Sequence, residues 1–362
     1  MTNETERKKV ILAVDDAPEN LDVIKSILVP EYTVKRAPNG PLALKIAESQ
    51  APDLILLDIL MPEMDGFEVC LRLKANPATR AIPVVFVSAL TESVDEQRGF
   101  AVGAVDYINK PFRPELVMAR VRTHLEMKAY RDDLERLVEE RTRALSRTQD
   151  ATIFTVANLA ETRDPETGAH IMRTQHYVKA LAQYLSASPH HASTLTASNI
   201  DLLFKSAPLH DIGKVGIPDH ILLKPGKLTP EEFEQMKTHT VTGWETLNKT
   251  EQRFGSDSFL RYACEISLTH HEKWDGSGYP HKLAGDAIPL SGRLMAVADV
   301  YDALTSARPY KKPFTHEAAK TMIVDGRGKH FDPEVVDAFL ALEDEFLEIY
   351  RRINDENGAG GE

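Results

Sequence analysis

Between Pro114 and Pro165 the chain contains neither glycine nor proline. A stretch free of the two residues that most readily stop a helix is read as one long helix, or two nearly continuous ones. It separates halves with different hydrophobic periods. From Lys9 to about His124 short apolar runs alternate with amphipathic stretches, the pattern of a parallel sheet covered on both faces. From Ala151 onward the period is helical, with no convincing strand, so a helical bundle is expected there. The expected fold is an α/β doubly wound parallel five-stranded sheet joined by a long helix to an all-α bundle. Its boundaries are placed at 1–125 for the sheet domain, 126–150 for the helical linker, 151–350 for the bundle and 351–362 for a polar, Gly-rich tail read as disordered.

The linker is dense in alternating charge, and Asp132 to Arg136 and Glu139 to Arg143 are favourable i,i+4 spacings. Leu134, Leu137 or Val138, and Leu145 mark a narrow apolar seam broken by Arg141. This fits either a solvated connector helix or a short parallel coiled coil between two protomers, the second slightly preferred.

At 362 residues the chain has room for two cores. Its formal charge of -12 argues against a general nucleic-acid binder, which would carry a basic face. No run approaches the roughly twenty apolar residues of a membrane span, and MTNETERKKV lacks the apolar core of a signal peptide, so a cytoplasmic protein is expected. Cys70 and Cys264 belong to no paired spacing and are read as buried free thiols.

In the first half, strands are expected at Val10 to Val14, Tyr32 to Arg36, Leu54 to Leu57, Val84 to Val87 and Tyr107 to Ile108. Asp15 and Asp16 follow the first and Asp58 the third, at the strand ends where open parallel sheets place their chemistry. Singly, such an Asp is usually a turn or helix cap. Three converging carboxylates would repel one another without a divalent cation, and hard oxygens suit magnesium. With Ser88 ending the fourth strand and Lys110-Pro111 the fifth, the segment resembles a response-regulator receiver domain. The resemblance implies Asp58 as phosphoacceptor, Asp15 and Asp16 as magnesium ligands, Ser88 and Lys110 as phosphoryl contacts, and Tyr107 as the aromatic switch. A cis Lys110-Pro111 bond is allowed there.

The second half carries ligand-type residues in separate helical stretches: Glu166 with His170, His210 with Asp211, His239, the adjacent His270 and His271, and Asp299. Glu166 and His170, four apart, would share a helix face. Mixed His and carboxylate sets suit iron, manganese or zinc, and more than four ligands imply more than one ion. The remaining histidines, His124, His176, His190, His191, His220, His281, His316 and His330, lack partners at ligand spacing and are read as surface or capping residues.

The runs HDIGKVGIPDHILLKPGKLTPEEFEQMKTH (His210 to His239), HHEKWDGSGYP (His270 to Pro280) and ADVYDALTSARPYKKP (Ala298 to Pro313) resemble the HD-GYP family of metal-dependent cyclic di-GMP phosphodiesterases. Thr240 departs from the Pro that family members often carry after the ligand histidine. The resemblance implies two or three ions, iron or manganese first, held by Glu166, His170, His210, Asp211, His239, His270, His271 and Asp299, with Asp211 as the bridge. It further implies Lys214 at the scissile phosphate or leaving oxygen, and Arg308 and Lys311, with Lys312 less firmly, at the substrate phosphates. Tyr279 would shape the Gly-Tyr-Pro turn and could meet a partner.

The function implied is a two-component response regulator that hydrolyses cyclic di-GMP to pGpG and on to GMP under control of Asp58 phosphorylation. Its implied partners are a sensor histidine kinase and a second copy of the chain. The rivals are an enzyme for pGpG or another cyclic dinucleotide, and a non-catalytic sensor or adaptor. A DNA-binding output is disfavoured by the acidic charge.

Overall fold

The computed structural model describes residues 8–88, 93–162, 168–255, 259–306 and 312–358. The chain forms two compact units, Met1–Arg143 and Ala144–Glu362. In the first, β1 (Val10–Val14), α1 (Pro18–Leu28), β2 (Thr33–Ala37), α2 (Gly40–Gln50), β3 (Leu54–Asp58), α3 (Gly66–Ala75), β4 (Val84–Ser88), α4 (Ser93–Ala101) and β5 (Asp106–Asn109) alternate before α5 (Pro114–Glu161) begins. The strands are all parallel in the order β2-β1-β3-β4-β5. That order reverses beside β1 and β3, the crevice where open α/β sheets bind ligands.

β1, β3 and β4 are buried along their whole length, which is why they are continuous apolar runs in the sequence. Alternate side chains serve the two faces. Leu12, Val14, Ile55, Leu57, Val84 and Phe86 pack on one, and Ile11, Ala13, Leu54, Leu56, Val85 and Val87 on the other. The second strand begins one residue later than expected, because the Tyr32 N–H donates to the Leu28 carbonyl (2.9 Å) and so belongs to the turn after α1. Register levels the strand ends: Val14 pairs with Leu57, Asp58 with Val87 and Ser88 with Asn109. The residues that close or follow those strands therefore meet at one edge.

The breaker-free stretch is a single helix, α5, of 48 residues. Its expected Asp132–Arg136 pair is not made. Arg136 instead bridges Asp133 (2.6 Å) and Glu140 (2.7 Å), its fork reaching both the preceding and the following turn, while Asp132 pairs with Lys128 and Arg131. Glu139 and Arg143 pair as expected. The seam residues Leu134, Leu137, Val138 and Leu145 are all exposed within the chain.

The second unit adds α6 (Gly168–Leu185), α7 (Ala197–Ser206), α8 (Asp219–Leu222), α9 (Pro230–Phe254), α10 (Leu260–Thr269), α11 (Leu290–Thr305), α12 (His316–Asp325), α13 (Pro333–Ala341) and α14 (Glu343–Gly358). Among its described residues the only β pairing is two isolated bridges, Asp275 with Ala284 and Arg327 with Phe331. An aromatic cluster fills its core: Tyr177 stacks on Phe346 at 4.4 Å, and Tyr301 and Phe339 meet Phe346 edge-on or tilted to each other. The expected disordered tail is corrected over 351–358, which α14 includes. Ile353 is buried in the core and Asn354 accepts a hydrogen bond from Arg173 at 2.8 Å, so packing holds a segment whose composition alone suggested a free end. Cys70 and Cys264 are both buried free thiols, and burial pushes them up to about 11 and about 12. No described helix is long and apolar enough to cross a membrane.

Candidate metal centre

At the levelled sheet edge, ligand oxygens of Asp15, Asp16 and Asp58 lie within 4.8 Å of one another. Lys110 follows β5, and its Nζ donates to Asp15 Oδ2 (2.8 Å) and Asp58 Oδ1 (3.0 Å). Asp15 also accepts from Asn20 Nδ2 and the Ala17 N–H, both 2.9 Å, which fix its carboxylate. Burial raises the Asp58 carboxyl above the usual carboxylate range, and the Asp15 and Asp16 charges add to it against the Lys110 hydrogen bond. Burial opposes the Lys110 charge, but its two carboxylate partners carry the net shift upward. Ser88 is buried at the end of β4, and Tyr107 is turned inward, 8% exposed, between Phe86 and Phe100. The Lys110-Pro111 bond is cis.

In the second unit, the HD pair lies between two 3-10 turns, Ala207–Leu209 and Ile212–Gly216. The second turn lies against α9 because Gly213 has no side chain: a Cβ there would stand 1.9 Å from the His239 carbonyl oxygen. This close approach brings Asp211 to His239. Asp211 Oδ1 lies 3.2 Å from His239 Nε2 and 3.5 Å from His270 Nε2, while Asp211 Oδ2 lies 3.3 Å from His210 Nε2. Donors from Asp211, His239, His270 and His271 fall within 4.8 Å of one another, and so do donors from Glu161, His170 and His210. Asp211 thus stands between the two groups, through one oxygen each. Asp299 is at the margin, 3.7 Å from His170 Nε2.

The histidines are aimed by their other nitrogen. Nδ1 of His210, His239 and His270 contacts the carbonyl of Ala207 (3.1 Å), Met236 (2.7 Å) and Ile266 (2.9 Å), each about one turn earlier. His170 Nδ1 is held by Asp302 at 2.8 Å. Such outer contacts fix the tautomer and turn Nε2 toward an ion. Asp211 Oδ1, His239 Nε2 and His270 Nε2 are buried and have no hydrogen-bond partner among the described residues, although they converge to 3.2–3.5 Å. Leaving buried polar atoms unmatched costs about 1 to 3 kcal/mol each. Ligands about 2.0–2.2 Å from a shared ion have about this mutual spacing. The donor set therefore fits divalent transition metal.

Electrostatics agree with that fit. Burial would raise Asp211, but the Lys214 charge, at 2.7 Å, and then His210 hold it well below the usual carboxylate range. Burial and then the neighbouring His270 keep His271 well below the ordinary imidazole value, so its ring is neutral and able to ligate. His271 is stacked on Tyr279 at 4.8 Å. The turn that carries Tyr279 folds back closely, since a Cβ on Gly278 would lie 2.3 Å from the Lys273 nitrogen. Glu272 is buried and accepts from the His281 and Leu283 N–H groups at 2.7 and 3.0 Å, which ties the turn down.

Of the residues singled out in the sequence, His170, His210, Asp211, Lys214, His239, His270, His271 and Asp299 come together here, and Lys312 is exposed. Glu166, Arg308 and Lys311 lie outside the described residues. Two residues were missed. Glu161, the last of α5, joins His170 and His210, and no fixed spacing announced it. Asp302 carries a legible signal, since it is one turn after Asp299 on α11 and so shares its face. It is fully buried, and Arg173 holds it with two hydrogen bonds of 2.6 and 2.8 Å. Some histidines read as lacking partners have them: His124 meets Asp106 (2.9 Å), His316 meets Tyr301 (2.9 Å), and His191 meets Glu334 (2.7 Å), all far apart in sequence.

A sheet with a carboxylate cluster at its switch point, followed by a helical unit with histidine and carboxylate clusters, is the arrangement of a receiver joined to a helical domain whose donors could hold metal. Sequence-family profiles described as "Response regulator receiver domain" and "HD domain" match residues 11–122 and 154–335. A Vibrio cholerae protein named "Probable cyclic di-GMP phosphodiesterase" is 52% identical over 96% of this chain and 81% of its own length. The "Cyclic di-GMP phosphodiesterase response regulator RpfG" of Xanthomonas campestris is 36% identical over 91% of this chain and 86% of its own. A "3'3'-cGAMP-specific phosphodiesterase 2" of Vibrio cholerae is 43% identical over 58% of this chain and 38% of its own. The chain belongs to the response regulators of the HD-GYP cyclic di-GMP phosphodiesterase family.

Proposed function

We propose that this protein is a metal-dependent phosphodiesterase that hydrolyses cyclic di-GMP to pGpG, and pGpG onward to GMP, under control of Asp58 phosphorylation by a sensor histidine kinase. The observation that carries the reading is the convergence of buried Asp211, His239 and His270 donor atoms that have no hydrogen-bond partner among the described residues. In this reading Glu166 or Glu161, His170, His210, Asp211, His239, His270, His271 and Asp299 would hold two or three ions, iron or manganese, with Asp211 placed to serve both groups of donors. Bound ions supply Lewis acidity toward the phosphate and a nucleophilic water at neutral pH. Lys214 faces the substrate beside Asp211 and gives the leaving oxygen its proton, so that the phosphorus–oxygen bond breaks without releasing an alkoxide. Arg308 and Lys311 bind the phosphates, Arg through its bidentate fork.

In the receiver, Asp15 and Asp16 hold magnesium while Asp58 attacks the phosphoryl donor, and Ser88 and Lys110 contact the transferred group. The domains are taken as 1–125, 126–150 and 151–350, the last extended to 358 by α14. Two copies pair along the exposed seam of α5, which turns a change in the receiver into a change at the metal site. A second reading, hydrolysis of 3'3'-cGAMP, is favoured by the relative named for that substrate. The test incubates metal-analysed, anaerobically purified protein with cyclic di-GMP, pGpG and 3'3'-cGAMP and follows the products. Cyclic di-GMP is expected to be consumed fastest, and Asp211→Ala to lose turnover together with metal. Full activity and full metal content in that variant would refute the site.

A further inference from the structure

Outside the catalytic cluster, a third group of donors meets across the bundle. His190 and His191 sit in the tight turns between α6 and α7, and Glu334 is in the first turn of α13, 143 residues from His191. Their donor atoms lie within 4.8 Å of one another. His191 Nε2 is 2.7 Å and His190 Nδ1 is 3.5 Å from the same oxygen, Glu334 Oε2. The two rings lie one over the other at 4.5 Å.

We propose that His190, His191 and Glu334 form an additional metal site, for a borderline divalent ion such as zinc, that staples the α6–α7 turn to the start of α13. Two imidazoles and one carboxylate are the donor set such ions prefer, and three protein ligands leave one tetrahedral position for water. Ligands about 2.0–2.2 Å from one ion stand roughly 3.0–3.6 Å apart; the observed 3.5 Å lies within that range and the 2.7 Å hydrogen-bond contact would open by a few tenths of an ångström, a small side-chain adjustment.

The donors are also held by the backbone. His191 is buried, its N–H donates to the Ser188 carbonyl, and its carbonyl accepts from Thr194 and Leu195 at 3.0 and 2.7 Å. Leu195 is anchored in the main core of the bundle. On the other side the Glu334 N–H donates to Asp332 Oδ1 (2.8 Å), and Arg293 clamps the second oxygen of Asp332 (2.8 Å). The hydrogen bond from His191, first among its neighbours, keeps Glu334 below the usual carboxylate range, so the carboxylate is ionised at neutral pH. His190 completes the set from the solvent side, with its side chain 64% exposed, which gives an ion a path in.

The site shares no residue with the catalytic cluster, so the two can be separated by mutation. The full chain, already loaded with its catalytic metal, is dialysed against graded zinc. Total metal of all elements per chain and the thermal unfolding midpoint are then measured for the unaltered protein, His190→Ala and Glu334→Gln. His190→Ala and Glu334→Gln alter mostly exposed side chains and are expected to fold. The unaltered protein should hold one more ion per chain than either variant. At zinc about a hundredfold above its Kd its midpoint should rise by roughly 5 °C, a rise the variants lack. Equal metal content in all three proteins, or an equal zinc-dependent rise, overturns the proposal.

Discussion

The two ligand clusters of this chain solve the same problem, like donors crowded together, in opposite ways. At the receiver edge Asp15 and Asp58 already share a cation, Lys110, and Asp16 is exposed to water. In the second unit Asp211, His239 and His270 present buried atoms with no hydrogen-bond partner among the described residues. The first arrangement tolerates an ion that comes and goes, as a phosphorylation cycle requires. The second leaves buried donors whose unmatched cost a bound ion would remove. Donor chemistry sharpens the contrast, since carboxylate oxygens suit magnesium whereas imidazoles suit iron, manganese or zinc. The largest expected effect follows. Stripping the protein with a chelator should lower cyclic di-GMP hydrolysis by at least about a hundredfold. Manganese or iron should restore it and magnesium should not, while magnesium alone should restore labelling of Asp58 by a small phosphodonor. Recovery of hydrolysis with magnesium alone would erase the distinction.

The same contrast explains what could be read in advance. The sheet was legible because β1, β3 and β4 are buried on both faces and so are unbroken apolar runs, and the strand ends then place Asp15, Asp58, Ser88 and Lys110 together. The histidines His210, His239, His270 and His271 were legible because they sit in compact motifs. Glu161 was not, because it reaches the cluster from the end of a 48-residue helix whose register no local motif sets. Asp302 was passed over because a carboxylate that supports a ligand from behind looks in sequence like any helical Asp, and only packing brings it to His170. The His191–Glu334 contact is invisible for a like reason: tertiary structure closes the gap between them. The tail was misread through composition, which does not register that Ile353 fills a place in the core.

A middle-sized effect tests whether the two regions are coupled. Beryllofluoride, a phosphoryl mimic, should bind at Asp58 and draw on Ser88 and Lys110, with Tyr107 already inward in this structure. The change in hydrolysis rate is bounded by the difference in stabilisation between the two receiver states, about 1 to 3 kcal/mol, or roughly five- to a hundredfold. Rate and molecular mass are measured together, with Asp58→Asn as the control that cannot respond. If neither quantity moves, the receiver does not govern the metal site, and the clusters are neighbours in sequence only.

The smallest effect is confined to the receiver and asks how well Lys110 balances its carboxylates. Burial, reinforced by Asp15 and Asp16, raises Asp58 in the folded state above its unfolded value. A raised carboxyl favours the protonated fold. Its contribution to stability is therefore present at low pH, below the unfolded value, and is lost as pH rises through the folded one. At neutral pH the charged Asp58 is a net cost, even with Lys110 at 3.0 Å. Asp58→Asn removes that cost while leaving Lys110 its 2.8 Å contact with Asp15, so no buried cation is stranded. In chelator at about pH 7.5 the variant should unfold a few degrees above the unaltered protein, and the gap should narrow as pH falls through the raised folded-state value of Asp58, closing only below the unfolded value of 3.8. Magnesium should narrow it as well, by stabilising only the protein that keeps all three carboxylates. No gap at about pH 7.5 would mean that Lys110 already neutralises the edge, and a gap that ignores both pH and magnesium would mean that the Asp58 charge is not its source.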